Sequence, residues 1–89
     1  MVQVELLLVP ECPHADSARA VLVEAMRQLG TSVTVHERVG AFPSPTVLVD
    51  GIDVVTGRPF ASGRAACRLD RPDVSDVVNA LRGATGGAE

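Results

Sequence analysis

Apolar positions along this chain follow two rhythms. Val2 to Val9 begin with weak alternation and become continuous at Leu6-Leu7-Leu8-Val9, which predicts a central strand buried on both faces. The period then changes. Ala15, Ala18, Leu22, Ala25, Met26 and Leu29 recur at three- and four-residue steps, with Asp16, Arg19, Glu24 and Arg27 on or bordering the other side. That stripe predicts an amphipathic helix over 13–29. Pro13 is its expected first residue, because the N–H that proline lacks would be unpaired there, and Gly30 is its expected stop.

Thr31 to Val39 is rich in β-branched residues and reads as a second strand. A strand, a helix and a strand in that order predict a right-handed crossover with the two strands parallel. Gly40 to Pro45 is a breaker-rich loop, and Thr46 to Val49 a third strand. Asp50-Gly51 is a strong two-residue hairpin signal, so Ile52 to Val55 is expected to return as an antiparallel fourth strand. Residues 56–72 show no clear period, and a loop of that length in a small domain is usually functional or mobile. Asp73, with Asp76 three residues later, predicts the start of a last helix that buries Val74, Val77, Val78 and Leu81 and ends at Gly83. The expected fold class is α/β with α+β character. It is βαβ followed by ββα, a four-stranded mixed sheet packed with two main helices. One domain over 1–83 and a disordered tail over 84–89 complete this reading.

Composition narrows the function classes. The chain has 89 residues and a net charge of −3, and all eight basic residues are arginine. It lacks the basic face that a general nucleic-acid binder carries. No apolar run approaches the length of a membrane span, and no positive region precedes the first one, so a cytoplasmic protein without membrane partners is expected. With no Trp or Tyr and two Phe, the core must be Val, Leu and Ala. Two cysteines far apart in a cytoplasmic chain read as free thiols, redox thiols or metal ligands rather than a structural disulfide.

Cys12 is the centre of the candidate chemistry. It follows the first strand and sits with Pro13 at the start of the helix, where free amides and the helix dipole favour a thiolate. The plain alternative is a small apolar residue tucked at a helix start. Cys67 lies in the aperiodic stretch, flanked by Arg64, Arg68 and Arg71. It could fold back to resolve a mixed disulfide, or complete a two-thiolate site for a soft metal with Cys12; it could equally be a buried structural thiol. His14 could tune the thiolate, act as a general acid or ligate a metal, or simply be exposed in the first turn. Asp16 could move a proton, or serve only as favourable charge near the helix start. His36 reads as a surface residue, and Phe42 and Phe60 as groove rim or core filler. No phosphate loop, dinucleotide fingerprint, paired zinc motif or serine-hydrolase elbow is present.

Cys12-Pro13 opening the first helix and Ser44-Pro45-Thr46 opening the third strand, within this element order, resemble the thioredoxin-like fold over about residues 2–82. More narrowly the chain resembles short bacterial thioredoxin-like proteins often labelled alkylmercury lyase-like, which share an early Cys-Pro, a Ser-Pro-Thr-Val strand, an Asp-Gly turn and a late Cys-Arg-Leu, here Cys67-Arg68-Leu69. The resemblance implies a cis Ser44-Pro45 bond facing Cys12. It also implies a substrate groove shaped by Pro13 and Pro45, with the Thr46 backbone pairing to an extended substrate. The usual Cys-x-x-Cys is broken, since Ala15 occupies its fourth position. The leading expectation is thiol–disulfide exchange with protein or small-molecule thiols and disulfides, using Cys12 as nucleophile, Cys67 as resolving thiol and His14 in support, without a cofactor. Soft-metal or organomercury binding by Cys12 and Cys67, and a non-catalytic interaction module, remain as alternatives.

Overall fold

The computed structural model describes residues 2–60, 66–67 and 71–86. In chain order the elements are β1 (Val4–Leu8), α1 (Ala15–Leu29), β2 (Val35–Val39), β3 (Pro43–Ser44), β4 (Thr46–Val49), β5 (Ile52–Asp53), β6 (Ala66–Cys67) and α2 (Val74–Gly86). Four strands form a mixed sheet in the order β2-β1-β4-β5, and β3 pairs with β6 in a separate ladder. β1 runs parallel to β2 and antiparallel to β4, and β4 is antiparallel to β5. This is the expected four-stranded mixed sheet with two main helices.

β1 occupies the centre because its sequence tolerates burial on both sides. Val4, Leu6 and Leu8 join one core cluster with Ala18, Leu22 and Ala25 of α1, Val47 and Val49 of β4, and Val77, Val78 and Leu81 of α2. Leu7 and Leu48 are also buried but lie outside that cluster. Alternation along a strand sends them to the opposite sheet face. Both helices therefore contribute to one face, and small Ala residues on α1 let it lie close.

Local chemistry fixes most boundaries. Gly30 adopts φ 65 at the end of α1, and the N–H groups of Gly30 and Thr31 return to Arg27 and Met26 carbonyls, a Schellman-type stop. Asp50 and Gly51 have φ of 52 and 81, the paired positive values of a type I′ hairpin turn, with Val49 opposite Ile52. At α2, the Asp76 N–H donates to Asp73 Oδ1 at 2.9 Å and the Asp73 N–H to Asp76 Oδ2 at 3.2 Å. This reciprocal cap is the one that the Asp73/Asp76 spacing predicts.

Several boundaries differ from expectation. β1 and β2 are shorter than the apolar runs that contain them. α1 begins at Ala15 rather than Pro13, because the Ala15 N–H bonds back to the Cys12 carbonyl and the helical ladder opens only at Ala18 N–H to His14 C=O. β5 ends at Asp53, where its carboxylate accepts the Val55 N–H and its carbonyl the Gly57 N–H, turning the chain away. α2 continues past Gly83 to Gly86. Glycine within a helix costs about 1 kcal/mol against alanine, which does not terminate a helix by itself. The expected tail therefore overlaps the helix at 84–86, and its remainder lies outside the described residues.

A cross-element ion pair ties α1 to the sheet edge. Arg19 donates to both Glu37 carboxylate oxygens, at 2.8 and 2.9 Å. The hydrogen bond from Arg19 holds the Glu37 carboxyl below its usual range, with a further Coulombic contribution from the same guanidinium and opposition from burial. A depressed folded-state value contributes stability that is present above the unfolded carboxylate range and lost as pH falls through the folded value. Arg19→Gln is expected to move the Glu37 titration upward toward the ordinary carboxylate range, read by NMR of its carboxyl carbon. Leu81→Ala, at a fully buried position, is expected to lower stability by about 2–5 kcal/mol in urea unfolding.

Candidate functional site

Between β1 and α1 the backbone makes a tight turn. Glu11 adopts φ 57, an uncommon left-handed conformation for a residue with a Cβ. Cys12 follows, and its carbonyl closes the turn by accepting the Ala15 N–H at 3.2 Å. His14 is the N-cap of α1 and makes no side-chain capping bond. Cys12 therefore lies two residues ahead of the N-cap, not at or next to it. Pro13 is an exposed turn residue and not the first residue of the helix.

Cys12 is a free, half-buried thiol packed against the core cluster. The Ser44 hydroxyl donates to its Sγ at 2.9 Å. Ser44 is wholly buried, so this donor is fixed and shielded from competing water. Among the described residues, no backbone N–H donates to the sulfur; a serine from β3 takes the place that sequence reasoning gave to helix amides. An O–H aimed at sulfur lends more to an anionic sulfur than to a neutral one. The contact spans 32 residues of sequence, and the only hint of it is Ser44 standing before Pro45.

The Ser44-Pro45 peptide is cis, as the family resemblance implies. Pro45 is almost wholly buried and forms part of a cavity wall. Thr46, expected beside the substrate, is fully buried. It pairs with Leu7 in the β1–β4 ladder, and its hydroxyl donates to the Pro43 carbonyl at 2.6 Å. Its side chain thus braces the proline loop and reaches no surface that a substrate could touch.

Cys67 enters through the backbone. β6 lies parallel to β3 with Ala66 opposite Pro43 and Cys67 opposite Ser44. The aperiodic stretch therefore returns to the strand that carries the sulfur's hydroxyl donor, placing the Cys67 backbone about 5 Å from that of Ser44. Arg64 and Arg68 lie outside the described residues.

His14 and Arg71, 57 positions apart, meet at 2.8 Å between Nδ1 and a guanidinium nitrogen. Arginine can only donate, so Nδ1 is the acceptor and a neutral ring carries its proton on Nε2. His14 is thus held by the segment entering α2, a partner that sequence reasoning did not assign. With Ser17, these two residues frame the mouth of a cavity of about 290 Å³ whose deeper wall includes Ala18, Val21 and Pro45. Asp16 is exposed and paired with Arg19, which fits favourable first-turn charge rather than proton transfer. His36 is exposed. Phe42 lies with Arg38 5.6 Å from its ring centroid. Among the described residues no group of three or more His, Cys, Asp or Glu is placed to hold a metal ion. Among the described residues no helix is long and apolar enough to cross a membrane.

No protein-family model, curated protein or solved structure matches the chain.

If the Ser44 hydroxyl supports the sulfur, Ser44→Ala is expected to slow alkylation of Cys12 by iodoacetamide about three- to ten-fold at neutral pH. The rate would be followed by mass spectrometry of the Cys12 peptide, with urea unfolding confirming that the variant is folded.

Proposed function

We propose that this protein carries out thiol–disulfide exchange through Cys12, on a thioredoxin-like arrangement, with Cys67 as the resolving thiol. The observation that carries this reading is the buried Ser44 hydroxyl donating to a free, half-buried Cys12 sulfur. A cysteine serving only as core filler needs no such donor. Support for the arrangement comes from the sheet order, with a parallel β1–β2 pair beside an antiparallel β4, and from the cis bond preceding β4.

In this reading Cys12 sulfur, after losing its proton to water or buffer, attacks one sulfur of a substrate disulfide. A new S–S bond forms to that sulfur. The old one breaks, and its electron pair leaves on the departing thiolate. Cys67 thiolate then attacks Cys12 sulfur in the mixed disulfide. This forms a Cys12–Cys67 bond and releases the second half of the substrate as a thiol. A small thiol or a dithiol reductase returns the protein to its reduced state by the same two exchanges. Ala15 cannot resolve the intermediate, and the second thiol in this reading is Cys67, whose backbone the β3–β6 ladder brings to the Ser44 strand.

The test is a single turnover of reduced protein with 4,4′-dithiodipyridine, read by thiopyridone release and intact mass. Wild type is expected to end as an internal disulfide, Cys67→Ser to stop at the mixed disulfide, and Cys12→Ser to show none of the rapid phase. Persistence of that phase in Cys12→Ser would overturn the assignment of the nucleophile. Stoichiometric Hg²⁺ binding that needs both cysteines, without any exchange, would favour the soft-metal reading instead.

A further inference from the structure

The cavity at the start of α1 has features that the exchange chemistry at sulfur does not use. Its volume of about 290 Å³ is at the lower limit of ligand pockets, so it suits a small molecule or a single side group. Its inner wall is apolar and buried, through Ala18, Pro45 and Pro72. Its mouth carries a cation. Among the described residues, Arg71 makes one side-chain hydrogen bond, to His14 Nδ1, and no carboxylate lies within ion-pair range. Asp73 also lines the cavity, but its Oδ1 accepts the Asp76 N–H, which commits that oxygen to the start of α2. Arginine has five N–H donors in a planar fork, so Arg71 can hold His14 and still offer donors to a bidentate anion. The exposed Ser17 adds a hydroxyl on the same rim.

The position of the cavity connects it to Cys12. Pro45 in its wall is bonded to Ser44, whose hydroxyl touches the sulfur, and His14 at its mouth is two residues from Cys12. With consecutive Cα atoms 3.8 Å apart across a trans peptide, the route from Cys12 to His14 spans at most about 7–8 Å. A carboxylate carried on the ring or chain of a small disulfide, several bonds from its sulfur, is on the scale of that separation. On a chain of net charge −3, an anionic substrate would otherwise be repelled, so an arginine near the thiol that is paired with no carboxylate among the described residues changes which disulfides approach it.

Building on the exchange reading, we propose that this cavity recognises an acidic group on the substrate. The preferred partner of Cys12 is then a small disulfide carrying a carboxylate near its sulfur, with Arg71 as the specificity residue. The carboxylate meets the Arg71 fork and the Ser17 hydroxyl while the attached carbon chain covers the Ala18–Pro45 wall. The sulfur chemistry is the exchange described above.

The test compares two disulfide probes in a Cys67→Ser background, so that a single thiol reports. One is the dianion 5,5′-dithiobis(2-nitrobenzoate) and the other is uncharged 4,4′-dithiodipyridine. The ratio of their second-order rates is normalised to the same ratio for free cysteine. Arg71→Gln is expected to lower the normalised ratio about five-fold at low ionic strength, Arg71→Lys to retain most of it, and added salt to compress the difference. Arg82→Gln makes the same charge change about two and a half helical turns from the cavity and is the control. A ratio unchanged in Arg71→Gln, or lowered equally by Arg82→Gln, overturns the proposal and leaves exchange at Cys12 standing. Failure of both probes to react at Cys12 overturns the exchange reading, and this inference with it.

Discussion

The structure depends on a strand that hydrogen-bonds on both edges and is covered on both faces. β1 sits between β2 and β4, and from Leu6 to Leu8 every one of its side chains is buried. Such a strand tolerates no register slip, because a shift of one residue would exchange the faces of the whole sheet. That constraint fixes the turn that follows it. The end of β1 determines where Cys12 emerges, and its antiparallel partner β4 determines where Ser44 arrives. The sulfur and its hydroxyl donor are thus brought together by the pairing of β1 with β4.

The two halves of the site have different mechanical origins. Cys12 lies on a turn whose backbone includes a left-handed Glu11, a conformation that costs a residue with a Cβ of order 1 kcal/mol or more. Surrounding structure must supply that energy, and β1 and α1 are well packed enough to do so. Ser44 is a short-strand residue, fully buried, with β4 beginning two residues later and β6 alongside. Thr46 closes this unit by bonding to Pro43. The donor is held from three directions, while the thiol remains half-buried and free.

Elements governed by local chemistry could be read from the sequence. The apolar run of β1, the helical stripe of α1, the Asp50-Gly51 hairpin and the Asp73/Asp76 cap each depend on residues within a few positions of one another. What escaped that reading depends on pairs far apart. Two-residue strands such as β3 and β6 are too short to show a period. Ser44 meets Cys12, and Arg71 meets His14, only after the sheet has formed. The displaced start of α1 has a subtler cause: Pro13 is compatible with a first helical turn, but the Cys12 carbonyl captures the Ala15 N–H first. Cys12, His14 and Pro45 were identifiable as site candidates from residue type and motif. Their partners were not, because hydrogen-bond partners across a fold leave no periodic trace.

Among the described residues β2 forms one margin of the sheet, with one neighbour in its ladder and a largely exposed run of residues. An open strand margin offers unpaired amides and carbonyls to any extended peptide, including another molecule of the same protein. Along this margin the chain places His36, Glu37 and Arg38 in succession. Glu37 is clamped by Arg19 from the helix, and Arg38 leans toward Glu5 of the neighbouring strand at 3.5 Å. A strand adding here would have to strip water from these ionic groups before its first backbone bond formed. The Arg19–Glu37 pair that fastens α1 to the sheet, with Arg38–Glu5 beside it, thereby also raises the cost of pairing along this border.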